Sequence, residues 1–217
     1  MKKFGLFFLA IFCFYFLDAQ TQNNDNTATA LLDEVAAKAE RYTSLKIDFN
    51  MFVENLHSGK RDSYSGNAMY KSGNYKLDVM GQVVYSDGKT NYTYLKDADE
   101  INISKNDSQS EMINPQAFLK DYKNNYKVKY IAEKFEKNRP LVEIDLFPKN
   151  IENKKYSRIT IKVDKTKKQI YSVRYIGKDG VNYLIEITKF EENPVIQDNQ
   201  IKFSKDLYPS VEIIDLR

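Results

Sequence analysis

The chain has 217 residues, with 33 Lys and Arg against 30 Asp and Glu and a formal net charge of +3. That length fits one domain with a sizeable core, and so even a charge balance argues against a nucleic-acid partner. One Cys, one His and no Trp exclude a disulfide framework and any thiolate or multi-histidine metal site.

Lys2 and Lys3 precede a nearly unbroken apolar run of 14 residues, Phe4 to Leu17, and Leu17-Asp18-Ala19 then offers a small-residue cleavage site. This is the pattern of a secretory signal peptide over residues 1–19, with Gln20 as the new N-terminus. The run falls short of the roughly 20 residues that span a bilayer. Cys13 lies inside the run after Phe12, not at the position of an acylated Cys, and cleavage removes it. Loss of Lys2, Lys3 and Asp18 leaves a net charge of +2. Residues 20–27 are polar and read as a flexible N-terminus; residues 28–217 read as a single domain.

Spacing predicts a helix over Thr29 to Leu45, with Leu31, Leu32, Val35, Ala39 and Tyr42 on one stripe and Thr27 or Thr29 as its cap. The period then falls to two. Ile47, Phe49, Met51 and Val53 share one strand face, and Tyr64, Gly66, Ala68 and Tyr70 share another after the His57-Ser58-Gly59 turn. Ser72-Gly73-Asn74 turns the chain into Tyr75, Leu77 and Val79. Val83–Ser86, the Asp87-Gly88 turn and Lys89–Leu95 form a tight hairpin signature, and Glu100–Lys105 is a further strand. Asn114-Pro115 opens a second helical piece with Phe118, Leu119 and Tyr122 inward. Strands return at Lys127–Phe135, Leu141–Phe147, Tyr156–Asp164, Gln169–Ile176 and Val181–Phe190, and Ile201–Ser204 and Val211–Leu216 close the chain.

The expected fold is mainly β with helices (α+β): an incomplete antiparallel β-barrel of about 11 strands in meander order, covered by a helical lid. Two helices are few for so broad an apolar face, which points to a cavity; a closed barrel with a filled interior remains the alternative.

No residue set carries catalysis. A Ser-His-Asp arrangement would need His57, which lies beside a turn. Asp97, Asp99 and Glu100 lack the spacing of a calcium loop, and no glycine-rich phosphate motif occurs, so no metal, no cofactor and no enzyme activity are expected. Aromatic residues remain unexplained: beyond residue 19 the chain keeps 15 Tyr and 7 Phe, which suit strands and also suit an amphipathic ligand wall.

Several stretches in fixed order resemble one family. They are LLDEVAAKAERYTSLKIDF at 31–49, SGNAMYKSGNYKLDV at 65–79, VVYSDGKTNYTYL at 83–95, NPQAFL at 114–119, YSRITIKVD at 156–164 and FSKDLYPSVEIIDLR at 203–217. Together they resemble the LolA-type outer-membrane lipoprotein carriers across nearly the whole mature chain. The resemblance implies a half-barrel whose acyl-chain site lies between sheet and lid. It also implies a periplasmic location and function as a carrier. The expected partners are acylated lipoproteins, an inner-membrane ABC complex that releases them, and an outer-membrane receptor or membrane surface; a monomer is expected. A lipid- or lipoprotein-sensing regulatory domain of the same half-barrel is the alternative function.

The cavity residues expected on this basis are Leu32, Val35 and Ala39 on the first helix, Phe49, Met51, Leu77, Val79, Tyr92 and Tyr94 on the sheet, and Phe118 and Leu119 on the lid. One departure matters. The family's Lys-Arg-Pro after the second strand is here Lys71-Ser72-Gly73. The family's Arg holds the lid closed, and Ser72 lacks its charge and reach, so a lid latch at Ser72 is expected to be weak or different.

Overall fold

The computed structural model describes residues 24–106, 119, 121–152 and 154–217. The expected signal peptide, Phe118 and the Asn114-Pro115 helix start lie outside these residues. Helix α1 covers residues 24–39. Twelve strands follow: β1 (Ser44–Asn55), β2 (Lys60–Lys71), β3 (Asn74–Val79), β4 (Gln82–Ser86), β5 (Thr90–Leu95), β6 (Glu100–Lys105), β7 (Tyr126–Glu136), β8 (Arg139–Pro148), β9 (Tyr156–Asp164), β10 (Gln169–Gly177), β11 (Val181–Glu192) and β12 (Glu212–Asp215). Two short helices, α2 (Tyr122–Asn125) and α3 (Asp198–Ile201), and a 3-10 turn at Lys205–Leu207 complete the described fold.

All twelve strands form one sheet in the order β12-β6-β5-β4-β3-β2-β1-β11-β10-β9-β8-β7, with β12 and β7 as free edges. The sheet is an open half-barrel with a few helices, as the sequence led one to expect. The meander is broken twice. β1 sits beside β11, which joins the two halves, and β12 pairs parallel to β6. Three ladders carry an extra residue: Thr188 against β1, Tyr171 against β9 and Ile131 against β8. Such bulges bend a strand and raise its twist, which suits a curling sheet.

α1 ends earlier than its periodicity suggests. Its last amides tighten to i−3 bonds, Arg41 N to Lys38 O (3.2 Å) and Tyr42 N to Ala39 O (3.1 Å). Asn193 Oδ1 then takes both the amide and the hydroxyl of Thr43 (2.8 and 3.1 Å), and Ser44 enters β1. Thr29 is not a cap: its hydroxyl donates to Asp25 O within the helix (2.9 Å). Ile201–Ser204 is not a strand either. Gln197 and Gln200 cap α3 reciprocally, and Ser204 accepts from Asp206 N at the next turn.

The turns follow local chemistry. Ser72 (φ 50°) and Gly73 (φ 83°) make a two-residue connection with both residues left-handed, the mirror-image turn that matches strand twist. A proline at position 73 is excluded there, because its ring fixes φ near −65°. Asp87 Oδ1 accepts from Lys89 N (2.8 Å) and Thr90 N (2.7 Å), which closes β4–β5. The Thr90 and Lys89 amides also hold the Asp87 carboxyl below its ordinary pKa.

Candidate functional site: an apolar half-face of the sheet

The inner face is the one on which α1 packs, and strand register assigns its residues. Leu77 pairs with Ala68 and Val84, Ala68 with Ile47, and Val84 with Thr93. Across the junction Phe49 faces Ile187 and Met51 faces Ile185; Val173, Ile161 and Ile144 continue the row.

Over β7–β11 this face is filled. Leu32, Ile144, Leu146, Ile159, Ile161 and Val163 have no exposure, and Val35 and Ala39 are 4% exposed. Leu119 and Tyr122 join the same cluster. Ion pairs and hydrogen bonds pin α1 along its length. Asp25 Oδ1 accepts from Tyr130 N on edge strand β7 (2.7 Å). Asp33 accepts from Tyr122 Oη (2.8 Å) and Lys123 Nζ (2.7 Å), Glu34 meets Lys168 (2.8 Å), and Lys38 meets Glu192 (2.6 Å). Burial and the Asp33 carboxylate push the Tyr122 hydroxyl well above its ordinary pKa. α1 therefore rests on a solid aliphatic layer, and the cavity expected beneath the lid does not extend under this helix.

Over β1–β5 the same face is only partly covered. Ile47, Phe49 and Leu77 form a second buried cluster, and Met51, Ala68, Val79, Val84 and Phe190 around it keep part of their surface exposed. Ile187 packs against both clusters, so the half-open wall is continuous with the core. Gly66 makes room for the Phe49 ring: a Cβ there would lie 2.5 Å from Phe49 Cζ and 2.9 Å from Asp78 O. Glycine in a strand marks such close approach.

The expected cavity residues thus have different destinations. Leu32, Val35, Ala39 and Leu119 pack in the filled half, and Phe49, Met51, Leu77 and Val79 form the half-open wall. Tyr92 and Tyr94 are corrected: Thr93 shares the inner face with Val84 and Leu77, so its two neighbours point outward. There Tyr92 stacks on Phe203 (4.4 Å between ring centres) and Tyr94 packs at a tilt against Tyr208 (4.6 Å), while Tyr85 and Tyr208 share a hydroxyl hydrogen bond (3.0 Å). These tyrosines seat the C-terminal segment on the outer face.

Ser72 lies exposed at the β2–β3 turn. The long-range contact from this corner comes from its neighbour, Lys71, whose Nζ donates to Ile196 O (2.7 Å) and Asp198 Oδ1 (3.0 Å). Sequence reasoning missed Lys71, Val84 and Ala68; the last two were legible from strand alternation.

Chemistry elsewhere is sparse. His57 Nε2 lies 3.1 Å from Asp179 O, at the β10–β11 turn. Among the described residues, no group of three or more His, Cys, Asp or Glu is placed to hold a metal. A polar groove of about 420 Å³ crosses the outer face of β7–β11. Lys162 pairs there with Glu136 (2.6 Å) and Lys137 with Glu186 (3.5 Å), while Arg158 and Arg174 reach carboxylates outside the groove, Asp145 (3.1 Å) and Glu54. The half-open wall is apolar, the surface chemistry that predominates in ligand sites.

A family model described as outer membrane lipoprotein carrier protein LolA matches residues 23–167, well over half of the chain. No curated protein sequence matches. Among solved structures, an uncharacterized conserved protein from Thermus thermophilus superimposes with a TM-score of 0.59 at 8% identity, covering 87% of this chain and 99% of that one. LprF from Mycobacterium bovis gives 0.48 at 16% identity, covering 81% and 98%. A LolA superfamily protein, NE2245 from Nitrosomonas europaea, gives 0.43 at 10% identity, covering 83% and 98%. The Thermus likeness supports the fold alone; the family rests on the matched sequence and agrees with the half-barrel. The chain belongs to the LolA family of outer membrane lipoprotein carrier proteins.

Proposed function

We propose that the protein is a periplasmic carrier that holds lipoprotein acyl chains against the inner face of β1–β5 and moves lipoproteins from the inner to the outer membrane. Residues 1–19 direct its export and are removed. It acts as a monomer, receives cargo from an inner-membrane ABC complex, and delivers it to a receptor or directly to the outer membrane.

The observation that carries this reading is the apolar wall of Phe49, Leu77, Met51, Val79 and Val84, half-open although it continues the protein's own core. Each methylene taken from water is worth roughly 0.8 kcal/mol, so a 16-carbon chain resists exposure by on the order of 12 kcal/mol. A soluble carrier must replace the bilayer over that length. A wall that is only partly enclosed holds the chain without trapping it, because cargo held too tightly is not delivered.

The test is release of a lipoprotein from inner-membrane vesicles bearing the transporter. Added protein should bring labelled lipoprotein into the supernatant in a one-to-one complex, and Val79→Asp should lower that yield at least tenfold by placing a charge in the wall. Equal release with no protein added would remove the carrier reading.

A further inference from the structure

One corner of the sheet differs from the others in chemistry. The β1–β2, β8–β9 and β10–β11 turns are tied together there. Leu56 N donates to Gly180 O (2.9 Å), Lys178 N donates to Lys155 O (3.0 Å), and Lys178 Nζ donates to Ile151 O. His57 adds its contact with Asp179 O. This framework holds two apolar side chains out in solvent: Leu56 is 64% exposed and Ile151 46%. The turn tips at the opposite end are polar, as at Ser72-Gly73, Asp87-Gly88 and Lys137-Asn138.

The same corner carries positive charge. Lys149, Lys154, Lys155 and Lys178 stand on these turns against Glu152 and Asp179, a local excess of two, with Lys60 and Arg61 beside them at the start of β2. Lys60 leans on Asp62 (3.2 Å) and Arg61 on Glu54 (3.5 Å). Lys149 and Lys178 are instead placed by backbone carbonyls, of Lys123 (2.7 Å) and Ile151, which orient an ammonium without neutralising it. Val53 on the inner face pairs with Tyr183 and Asp62 two residues before this corner, so the corner borders one end of the apolar wall.

We propose that this corner docks the protein on an anionic lipid bilayer: Leu56 and Ile151 enter the headgroup boundary while the lysines around them meet lipid phosphates. Apolar tips ringed by cations suit that surface, since juxtamembrane basic residues gain from the negative surface potential and buried apolar area adds to it. The proposal rests on the carrier reading for its purpose, because docking here would bring the end of the wall to the membrane, but it is measured separately.

The test is co-sedimentation of the processed, unloaded protein with vesicles of phosphatidylethanolamine and phosphatidylglycerol, against vesicles of phosphatidylcholine alone. Uptake of a fluorescent fatty acid is measured on the same preparations. The wild type should bind the anionic vesicles, and binding should fall as salt is raised. The pair Leu56→Ser with Ile151→Ser, and separately Lys60→Gln with Lys155→Gln, should each weaken it roughly tenfold. Fatty-acid uptake should stay at the wild-type level in both, which also reports that they fold. Wild-type binding that is absent at low salt, indifferent to lipid charge, or unchanged in both variants overturns the docking proposal. Lack of fatty-acid uptake by the wild type would count against the carrier reading instead.

Discussion

Paired substitutions on the same sheet face separate a filled half from an open one. Ile161→Ala removes three carbons from a side chain with no exposure beneath α1. The lost transfer energy is about 2.4 kcal/mol at ~0.8 per carbon, and the residual cavity raises the cost to about 3–4 kcal/mol. Val84→Ala removes two carbons from a partly buried side chain in the wall. Most of its roughly 1.6 kcal/mol of transfer energy is at stake, but solvent can enter the space left, so the cost is about 1–1.5 kcal/mol. Urea unfolding of both variants with unchanged m-values gives the two numbers. A saturating fatty acid should then stabilise the wild type, by about 2.7 kcal/mol at a hundred times its Kd. Val84→Asp should lose most of that gain. Equal costs for Ile161→Ala and Val84→Ala would mean that the wall is as tightly packed as the core, and the reasoning from exposure would fail.

Other expectations follow from single contacts. Gly66→Val should displace the Phe49 ring, cost about 1–3 kcal/mol and alter fatty-acid affinity, read by near-ultraviolet circular dichroism and titration. Because the Tyr122 pKa is raised in the fold, its stabilisation is complete below the free tyrosine value near 10 and is lost as pH climbs above it; Tyr122→Phe should flatten the alkaline limb of a stability–pH profile. Lys71→Met should cost under about 1 kcal/mol, as a largely exposed pair does, yet should speed amide exchange at Gln200 and Lys202 by loosening α3.

Period-two alternation made most of the sheet legible, because Ile47-Phe49-Met51 and Tyr75-Leu77-Val79 lie on one face in sequence as in space. What alternation cannot supply is which face a neighbouring strand presents. Tyr92 and Tyr94 share a face with each other, but only their register with Val83 and Tyr85 shows that it is the outer one. Nor does periodicity show which part of an apolar face is covered. Leu32 and Leu77 look alike as sequence, yet one meets a full aliphatic layer and the other a half-open wall. The pairing of β1 with β11 depends on partners more than a hundred residues apart, and local patterns carry no trace of it. The C-terminal segment misled for a different reason: Ile201-Lys202-Phe203 alternates like a strand, but the Gln197–Gln200 capping box winds the preceding residues into a helical turn.

The most direct measurement is photo-crosslinking with a lipopeptide whose acyl chain carries a diazirine near its end, mapped by peptide mass spectrometry. The account predicts labels on Met51, Ala68, Val79 and Val84, competed away by unlabelled lipopeptide. Labels confined to the outer-face residues Tyr92, Tyr94 and Tyr208, or labels that competitor does not remove, would contradict it.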